Sequence, residues 1–331
     1  MNIEQLRQGV NSALATQVDN YCSVISDIDD QLKPIANSLK EYLAEGKRFR
    51  PLFALIGYLG AHGELTPNVY QAVASLEFLQ ASALIHDDLM DQSDTRRGKP
   101  AMHKQFGDAA AILIGDLALV WDEQALHGSG LSSPEVNQIH DVMRTELMAG
   151  QFLDIYEQTQ KTFSVERALK IARYKSGKYS IERPLHFGAA LAKPNKPNDL
   201  DDFFSIYSEY GLPLGEAFQL RDDLLGVFGD PAVTGKPAAD DLREGKRTAL
   251  IAFAYDRGSE SVKKLITEKL GTSNIDGLAE AIVESGAPIH VEDLIEKLTE
   301  NALDAIERDE INGDAKALLR EMVELVTKRV S

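Results

Sequence analysis

The chain has 331 residues, with 35 Lys and Arg against 52 Asp and Glu, and its formal net charge is −17. This acidity argues against a nucleic-acid-binding protein, because such proteins usually present a basic surface. The single cysteine, Cys22, excludes an internal disulfide framework and a metal site built from several cysteines. One cysteine also fits a reducing compartment, and we predict a cytoplasmic protein. The first residues lack a secretory pattern, and no apolar run approaches the roughly 18 residues of a transmembrane helix.

The spacing of apolar residues predicts helix almost throughout the chain. The expected helices, in chain order, are about 3–30, 36–45, 50–61, 67–91, 107–129, 134–158, 166–191 and 201–229, with several more to the end. Most prolines lie near the expected starts and bends, and strand-type alternation is weak. We therefore predict an all-α protein with one domain over 1–331. The part from about 259 to 331 would be a C-terminal helical flank of that domain.

An acidic cluster ends the fourth predicted helix. Asp87 and Asp91 are four residues apart, so they stack on one face of a helix, and Asp88 points about 100° away. Mg²⁺ takes one or two carboxylates and fills its other positions with water and phosphate oxygens. Arg96 and Arg97 follow at once, and guanidinium groups suit phosphate oxygens. Taken alone, the acidic pattern is equally typical of a solvated helix end.

A second acidic pair, Asp222 and Asp223, repeats this layout. It also ends an apolar helical stretch, and basic loops follow it, with Lys236 in one and Lys246 in the next. Two such clusters of matching layout are much stronger evidence than one. We expect them to face one cavity and to hold metal ions between them.

A third basic element is the run from Gly46 to Pro51. Pro51 suits the first turn of a helix, so Lys47 and Arg50 lie close to a helix N-terminus, where anions bind readily. An exposed loop is the ordinary interpretation of so short a basic run.

Together these motifs resemble the trans-isoprenyl diphosphate synthases, the polyprenyl synthetase family, and most of all its bacterial geranylgeranyl diphosphate synthases. The first aspartate-rich motif corresponds to Asp87, Asp88 and Asp91, and the second begins with Asp222 and Asp223. Gly226 stands where the family often has a third aspartate. The resemblance by motif covers about residues 40–255. It implies an isoprenoid-synthase fold, which is a single large helical bundle around a central cavity.

The resemblance implies head-to-tail prenyl transfer. An allylic diphosphate ionises with the help of three Mg²⁺ ions, the double bond of isopentenyl diphosphate attacks the allylic cation, and a proton is lost. No nucleophilic side chain is needed, so the lack of a Ser-His-Asp pattern is no gap. By resemblance, Asp87, Asp91 and Asp222 would bind Mg²⁺ directly. Asp88 and Asp223 would hold metal-bound water or orient their neighbours.

The same resemblance implies roles for the other polar residues. The allylic diphosphate would be held by Arg96, Lys175 and Lys236, and isopentenyl diphosphate by Lys47, Arg50 and Arg97. Lys246 would close over the site, Gln80 would donate to a phosphate oxygen, and Asp154 would lie behind the substrate-binding groups. The dipoles of Ser176 and Gln219 would face the cation and stabilise it without trapping it.

Two residues just before the first aspartate-rich motif bear on the length of the product. In the family, aromatic residues four and five positions before the first aspartate-rich motif stop growth at farnesyl diphosphate. Ser82 and Ala83 stand there and are small. The next large residues are Leu79 and Phe78, roughly 12 Å from Asp87 along a helix. A floor formed by Leu113, Leu117 and Trp121 would close the pocket from the other side, so we predict geranylgeranyl diphosphate.

Several alternatives stay open at this point. Residues 82 and 83 could be small only to let helices pack closely, and the product could then be farnesyl or a longer polyprenyl diphosphate. A class I terpene synthase also ionises a prenyl diphosphate at such a motif, but it does not need a second diphosphate pocket. A non-catalytic regulatory subunit usually loses its acidic or basic residues. We expect a homodimer, from the resemblance and from a surplus of apolar helix surface.

Overall fold

The computed structural model describes residues 1–193, 197–230 and 239–328. Its helices are α1 Ile3–Ile28, α2 Lys33–Ala44, α3 Phe49–Gly60, α4 Pro67–Met90, α5 Met102–Phe106, α6 Asp108–Gly128, α7 Pro134–Gln158, α8 Val165–Ala172, α9 Arg183–Ala192, α10 Pro197–Phe228, α11 Asp240–Glu244, α12 Ala249–Arg257, α13 Glu260–Lys269, α14 Leu278–Glu284, α15 Ala287–Ala305 and α16 Gly313–Thr327. A 3₁₀ turn, Asp30–Leu32, precedes α2, and a π-helical segment, Arg173–Glu182, joins α8 to α9. Two short antiparallel strands, β1 Thr95–Arg96 and β2 Lys99–Pro100, follow α4.

The all-α prediction is confirmed, and local sequence signals explain where several helices begin. Asn2 forms a capping box with Gln5 at the start of α1. The Thr66 hydroxyl accepts from the backbone N–H of Val69 at the start of α4, where Pro67 takes the first position. These caps satisfy backbone donors that a helix start otherwise leaves without partners.

Three details differ from the sequence-based expectation. The helix expected over 166–191 is interrupted by the π-helical segment. Pro213, expected at a start or bend, lies inside α10. The second acidic pair does not end its helix, because α10 continues for five residues beyond Asp223.

The chain divides into two compact units. The first contains Met1–Ile139, Pro184–Phe203 and Glu310–Leu318. Helix α4 is its central element, with apolar side chains buried on every face, as in a helix surrounded by protein. One core of this unit joins α4 to α1, α2 and α6, and includes Phe78 and Trp121.

The second unit contains His140–Arg183, Phe204–Asp309 and the chain from Leu319 onward. Its core is formed by the end of α10 together with α12, α13, α14 and α15, and includes Leu220, Ile251 and Ile266. Two contacts tie the C-terminal helix to α10: the Tyr210 hydroxyl donates to the carbonyl of Leu319, and Arg221 Nε donates to that of Thr327. In the described part of the chain, no helix is long and apolar enough to cross a membrane.

Candidate active site

The first acidic motif lies in the last turn of α4 and just after it. Asp91 is the residue at which the helix ends, and its backbone N–H bonds to the carbonyl of Asp87. Asp87 and Asp91 therefore lie on one face, one turn apart, as predicted. The side chain of Asp87 keeps 17% of its exposure, whereas that of Asp88 keeps 1%.

Asp88 is buried because it binds a guanidinium. Arg96 Nε donates to both carboxylate oxygens of Asp88, at 2.9 and 3.1 Å, and Arg96 Nη2 also donates to Oδ1. The same Nη2 lies 3.7 Å from Asp87 Oδ2. A bidentate contact fixes the plane of the guanidinium. Asp88 thus holds Arg96 next to the first motif, which fits the orienting role expected of it.

The basic run between α2 and α3 meets the basic hairpin after α4. Arg97 Nη1 donates to the carbonyls of Tyr42 and Glu45, at 3.1 and 2.5 Å. A Cβ on Gly46 would lie 3.5 Å from Arg97 Nη2. Lys47, Arg50 and Arg97, all expected at one diphosphate, therefore lie around one loop. Lys47 is exposed and its ammonium lies over the ring of Phe49, while Arg50 is half-buried in the first turn of α3.

The predicted chain-length positions lie one to two turns before Asp87. Ser82 is fully buried, and its hydroxyl has no hydrogen-bond partner. Ala83 and Gln80 are partly exposed. Phe78, one turn below Ser82, is fully buried and meets Trp121 edge-on, with ring centroids 6.0 Å apart.

The predicted floor of the pocket needs one correction. Leu113 is 68% exposed on the outer face of α6, so it does not close a pocket within this chain. Trp121 is buried, and Leu117 is partly buried in the same core. The error has a simple cause: the outer face of α6 is nearly as apolar as its inner face, and composition alone does not distinguish them.

In the second unit, the π-helical segment carries Lys175 and Ser176. Lys175 Nζ donates to Asp154 Oδ2 on α7 at 2.6 Å, and Ser176 is half-buried. Glycines allow the segment to lie against its neighbours. A Cβ on Gly150 would lie 2.5 Å from the backbone nitrogen of Lys175, and one on Gly215 would lie 2.5 Å from the Cα of Gly177. Bulges of this helix type occur frequently at functional sites.

The second acidic motif has one buried and one half-buried carboxylate. Asp223 is buried, while Asp222 is half-buried. Gln219 Nε2 donates to Asp223 Oδ1 at 2.8 Å, and the backbone N–H of Ala249 donates to Oδ2 at 3.0 Å. Burial raises the pKa of Asp223 to about 7, and the charges of Asp241 and Asp222 act in the same direction. Asp223 therefore orients Gln219 and caps the start of α12.

A residue that the sequence analysis missed lies beside this motif. A Cβ on Gly226 would overlap the carboxylate of Asp241, the second residue of α11. Lys246 Nζ lies 3.7 Å from Asp241 Oδ1 and 2.6 Å from Glu244 Oε2. Two features of the sequence could have pointed to Asp241. They are the absence of an acid at 226 and the acidic residues just before Lys246. Lys236 lies outside the described residues.

The carboxylates fit a magnesium site that is completed by substrate. Within the described residues, no group of three or more His, Cys, Asp or Glu side chains is arranged to hold a metal ion. Mg²⁺ is ordinarily bound by one or two carboxylates, water and substrate phosphates, not by an all-protein cage. Asp87 and Asp91 offer such a pair of hard oxygen ligands on one face.

Comparison with known proteins shows one consistent family. The sequence model described as polyprenyl synthetase matches residues 33–284. The geranylfarnesyl diphosphate synthase of Aeropyrum pernix is 33% identical over 306 residues, which cover 88% of this chain and 93% of the relative. The octaprenyl diphosphate synthase of Escherichia coli (strain K12) is 29% identical over 302 residues, covering 86% and 85%. A crystal structure of the geranylgeranyl pyrophosphate synthase from Corynebacterium glutamicum, complexed with isoprenyl diphosphate and magnesium, matches with a TM-score of 0.91 at 40% identity, covering 99% of this chain and 100% of that chain.

Proposed function

The chain belongs to the polyprenyl synthetase family and is a trans-prenyltransferase, and from that premise we propose that its product is geranylgeranyl diphosphate. The relatives are named for geranylgeranyl, geranylfarnesyl and octaprenyl products, so they leave the chain length open. The observation that carries the proposal is the pair of small residues Ser82 and Ala83 above the buried ring of Phe78.

The depth of the pocket follows from helix geometry. One helical turn is about 5.4 Å, close to the length of one extended isoprene unit. With no aromatic side chain at 82 or 83, the growing chain extends past this level. Phe78 lies one turn deeper, and its ring is fixed against Trp121 and Tyr21. Growth therefore continues by about one isoprene unit beyond the level at which an aromatic residue would stop it.

Product analysis tests this assignment. The purified protein is incubated with labelled isopentenyl diphosphate and, in turn, dimethylallyl, geranyl or farnesyl diphosphate. Geranylgeranyl diphosphate is the expected end product from every starter. Accumulation of farnesyl diphosphate, or of a longer polyprenyl diphosphate, would contradict the proposal. The allylic substrate alone should give no hydrocarbon, unlike in a class I terpene synthase.

We propose that Asp87, Asp91 and Asp222 bind Mg²⁺, with three ions in each site. The metal, when bound, stabilises the charge that develops on the departing diphosphate. Asp88 and Asp223 orient neighbouring groups and do not bind the metal directly, because each is buried and already accepts hydrogen bonds from protein groups. The family is Mg²⁺-dependent, and the number of ions is an inference from resemblance.

The basic residues divide between two diphosphates in this proposal. Arg96 and Lys175 bind the allylic diphosphate, and carboxylates orient both cations. Isopentenyl diphosphate is bound by Lys47 in the loop between α2 and α3, by Arg50 in the first turn of α3, and by Arg97 on the hairpin after α4, which contacts that loop. Lys236, Lys246 and Gln80 complete the set of phosphate-binding residues.

Stabilisation of the allylic cation is assigned to two dipoles, the Ser176 hydroxyl and the Gln219 amide. Asp223 accepts a hydrogen bond from the nitrogen end of the Gln219 amide. The negative end of that dipole, the carbonyl oxygen, is thereby available to the cation. A neutral oxygen lowers the energy of a nearby carbocation without the covalent capture that a strong nucleophile would bring.

We further propose a homodimer that forms through the outer face of α6. Ile112, Leu113 and Val120 are 47%, 68% and 59% exposed, and they lie on one stripe of that helix. Exposed apolar side chains grouped on one side of a helix are typical of protein contacts. Sedimentation at micromolar concentration should give a dimer mass, and Leu113→Glu with Val120→Glu should shift it to the monomer. A monomeric wild-type protein would contradict this assignment.

We also propose that residues 1–331 act as one cytoplasmic domain. The chain passes repeatedly from one compact unit to the other, so neither unit is a single contiguous segment. The chain has a single cysteine, Cys22, which is free and therefore compatible with a reducing compartment. One cooperative calorimetric transition is expected, whereas two separated transitions would indicate domains that unfold independently.

A further inference from the structure

The loop between α2 and α3 contains an arginine that points inward. Arg48 stands between Lys47 and Arg50, yet it is only 4% exposed. Its backbone is left-handed, with φ of 59°, a region that non-glycine residues rarely adopt. Its carbonyl also accepts the first hydrogen bond of α3, from the N–H of Leu52.

The guanidinium of Arg48 makes five hydrogen bonds, as many as it has N–H donors. Nε donates to Asn11 Oδ1 on α1 at 2.8 Å, and Nη1 donates to Glu77 Oε2 on α4 at 2.7 Å. The remaining three go to backbone carbonyls at the end of α2: Leu43 at 2.6 Å, Ala44 at 3.0 Å and Glu45 at 3.0 Å. A cation at the C-terminal end of a helix is favourably placed.

The partner of Arg48 on α4 is also buried. The side chains of Arg48 and Glu77 keep 3% and 7% of their exposure. A buried ion pair contributes little net stability compared with apolar residues of the same size, although removing one partner is costly. The pair therefore calls for an explanation other than stability.

The location of the Arg48–Glu77 pair supplies such an explanation. Glu77 lies ten residues before Asp87 on the same helix, about 15 Å along the axis. Arg97 binds the same end of α2 from outside, through the carbonyls of Tyr42 and Glu45. Arg48 and Glu77 therefore connect the helix that carries the first acidic motif to the loop that carries Lys47.

We propose that Arg48 and Glu77 are positioning residues for isopentenyl diphosphate, which hold Lys47, Arg50 and Arg97 in register with α4. This rests on the proposed function, which assigns those three residues to that substrate. Neither Arg48 nor Glu77 touches substrate, and their effect passes through the loop backbone.

The test measures KM for each substrate separately in Arg48→Lys and Glu77→Gln, which keep size and polarity. KM for isopentenyl diphosphate should rise on the order of tenfold or more, because a small misplacement of binding groups is expensive. KM for farnesyl diphosphate should change less than twofold. Equal changes in both constants, or no change in either, would overturn the proposal.

A double variant separates positioning from stability. Arg48→Met and Glu77→Met should each lower the melting temperature, and the double variant should recover much of it, because no buried charge is left alone. KM for isopentenyl diphosphate should stay high in the double variant, since the bonds to the end of α2 are still missing. Recovery of both properties together would show that the pair is only structural.

Further variants test the substrate assignment of the loop separately from the positioning role of Arg48 and Glu77. Lys47→Ala and Arg50→Ala test the substrate assignment itself; if they leave KM for isopentenyl diphosphate unchanged, the proposed function of the loop is wrong. If they raise it while the Arg48 and Glu77 variants do not, only the positioning role is wrong. Leu126→Ala, a buried change at the far end of α6, controls for lost stability and should leave both KM values unchanged.

Discussion

The carboxylate of Asp241 occupies the space that a side chain at position 226 would fill. The second acidic motif has only Asp222 and Asp223, and residue 226 is glycine. Helix α11 therefore brings an acid to the place where the motif lacks one. The relationship is tertiary, since fifteen residues of sequence separate the two positions.

Gly226→Ala should displace the Asp241 carboxylate and lower kcat/KM about tenfold, the usual cost of disturbing groups behind a metal site. Asp241→Ala should cause a similar loss. The double variant should be no worse than either single one, because both changes remove the same interaction. Full activity in Gly226→Ala, or losses that add in the double variant, would contradict this interpretation. The Mg²⁺ concentration for half-maximal rate is the second measurement.

Asp87→Ala and Asp222→Ala should each lower the rate on the order of 10³-fold, because leaving-group stabilisation is worth several kcal/mol. Excess chelator should abolish wild-type activity. Asp27→Ala, at an exposed acid near the end of α1, is the control and should behave as wild type. The hypothesis fails if either site variant retains near-wild-type turnover.

Ala83→Phe should shorten the product to farnesyl diphosphate or less, since the new ring closes the pocket about one isoprene unit higher. Ala83→Ser adds almost no volume and should leave geranylgeranyl diphosphate as the product. Chromatography of the dephosphorylated products distinguishes the lengths. An unchanged product from Ala83→Phe would mean that the chain does not grow along this face of α4.

Gly150→Ala should lower the free energy of unfolding by about 1–3 kcal/mol, as overpacking does, because the added Cβ would lie 2.5 Å from the backbone of Lys175. Activity should fall as well, since the π-helical segment must shift. Gly313→Ala meets open space and serves as the control. Denaturant unfolding and turnover should both separate the two variants, and identical behaviour would rule out the tight contact.

Cys22 should resist alkylation in the folded protein. It is buried, its thiol donates to the carbonyl of Ala36, and burial raises its pKa to about 11. At pH 8 almost none of it is thiolate, which is the reactive form. A thiol assay should find no fast-reacting group in buffer and one in denaturant. Rapid reaction of the native protein would show that α1 does not cover this side chain.

The helical framework was largely predictable, because proline positions and apolar spacing act locally. The exception is Arg173–Glu182, a largely polar segment that contains no proline and was expected to continue a regular helix. Its conformation depends on close backbone contacts at Gly150 and Gly215, which lie on other helices. No local pattern reports such contacts.

The candidate site also has parts that local sequence patterns predicted and parts that depend on long-range contacts. Acidic residues four apart, and basic residues after them, were visible as motifs. The burial of Arg48 was not, because a basic run ordinarily lies in solvent and its partner Glu77 is 29 residues away. Asp241 was missed because it lies fifteen residues beyond Gly226, and only the folded chain shows that the two meet. Long-range pairs of buried charges require the folded chain to be seen.

The π-helical segment also limits how far the thermal stability of this protein can be raised without a change at the candidate site. A deletion within it would favour one regular α-helix from Val165 to Ala192, with better hydrogen-bond geometry and higher intrinsic stability. The same change would turn Lys175 and Ser176 away from their present directions. Selection for thermal stability alone would therefore tend to remove the irregularity, and with it the present orientation of Lys175 and Ser176, to which the proposed function assigns the allylic diphosphate and the cation.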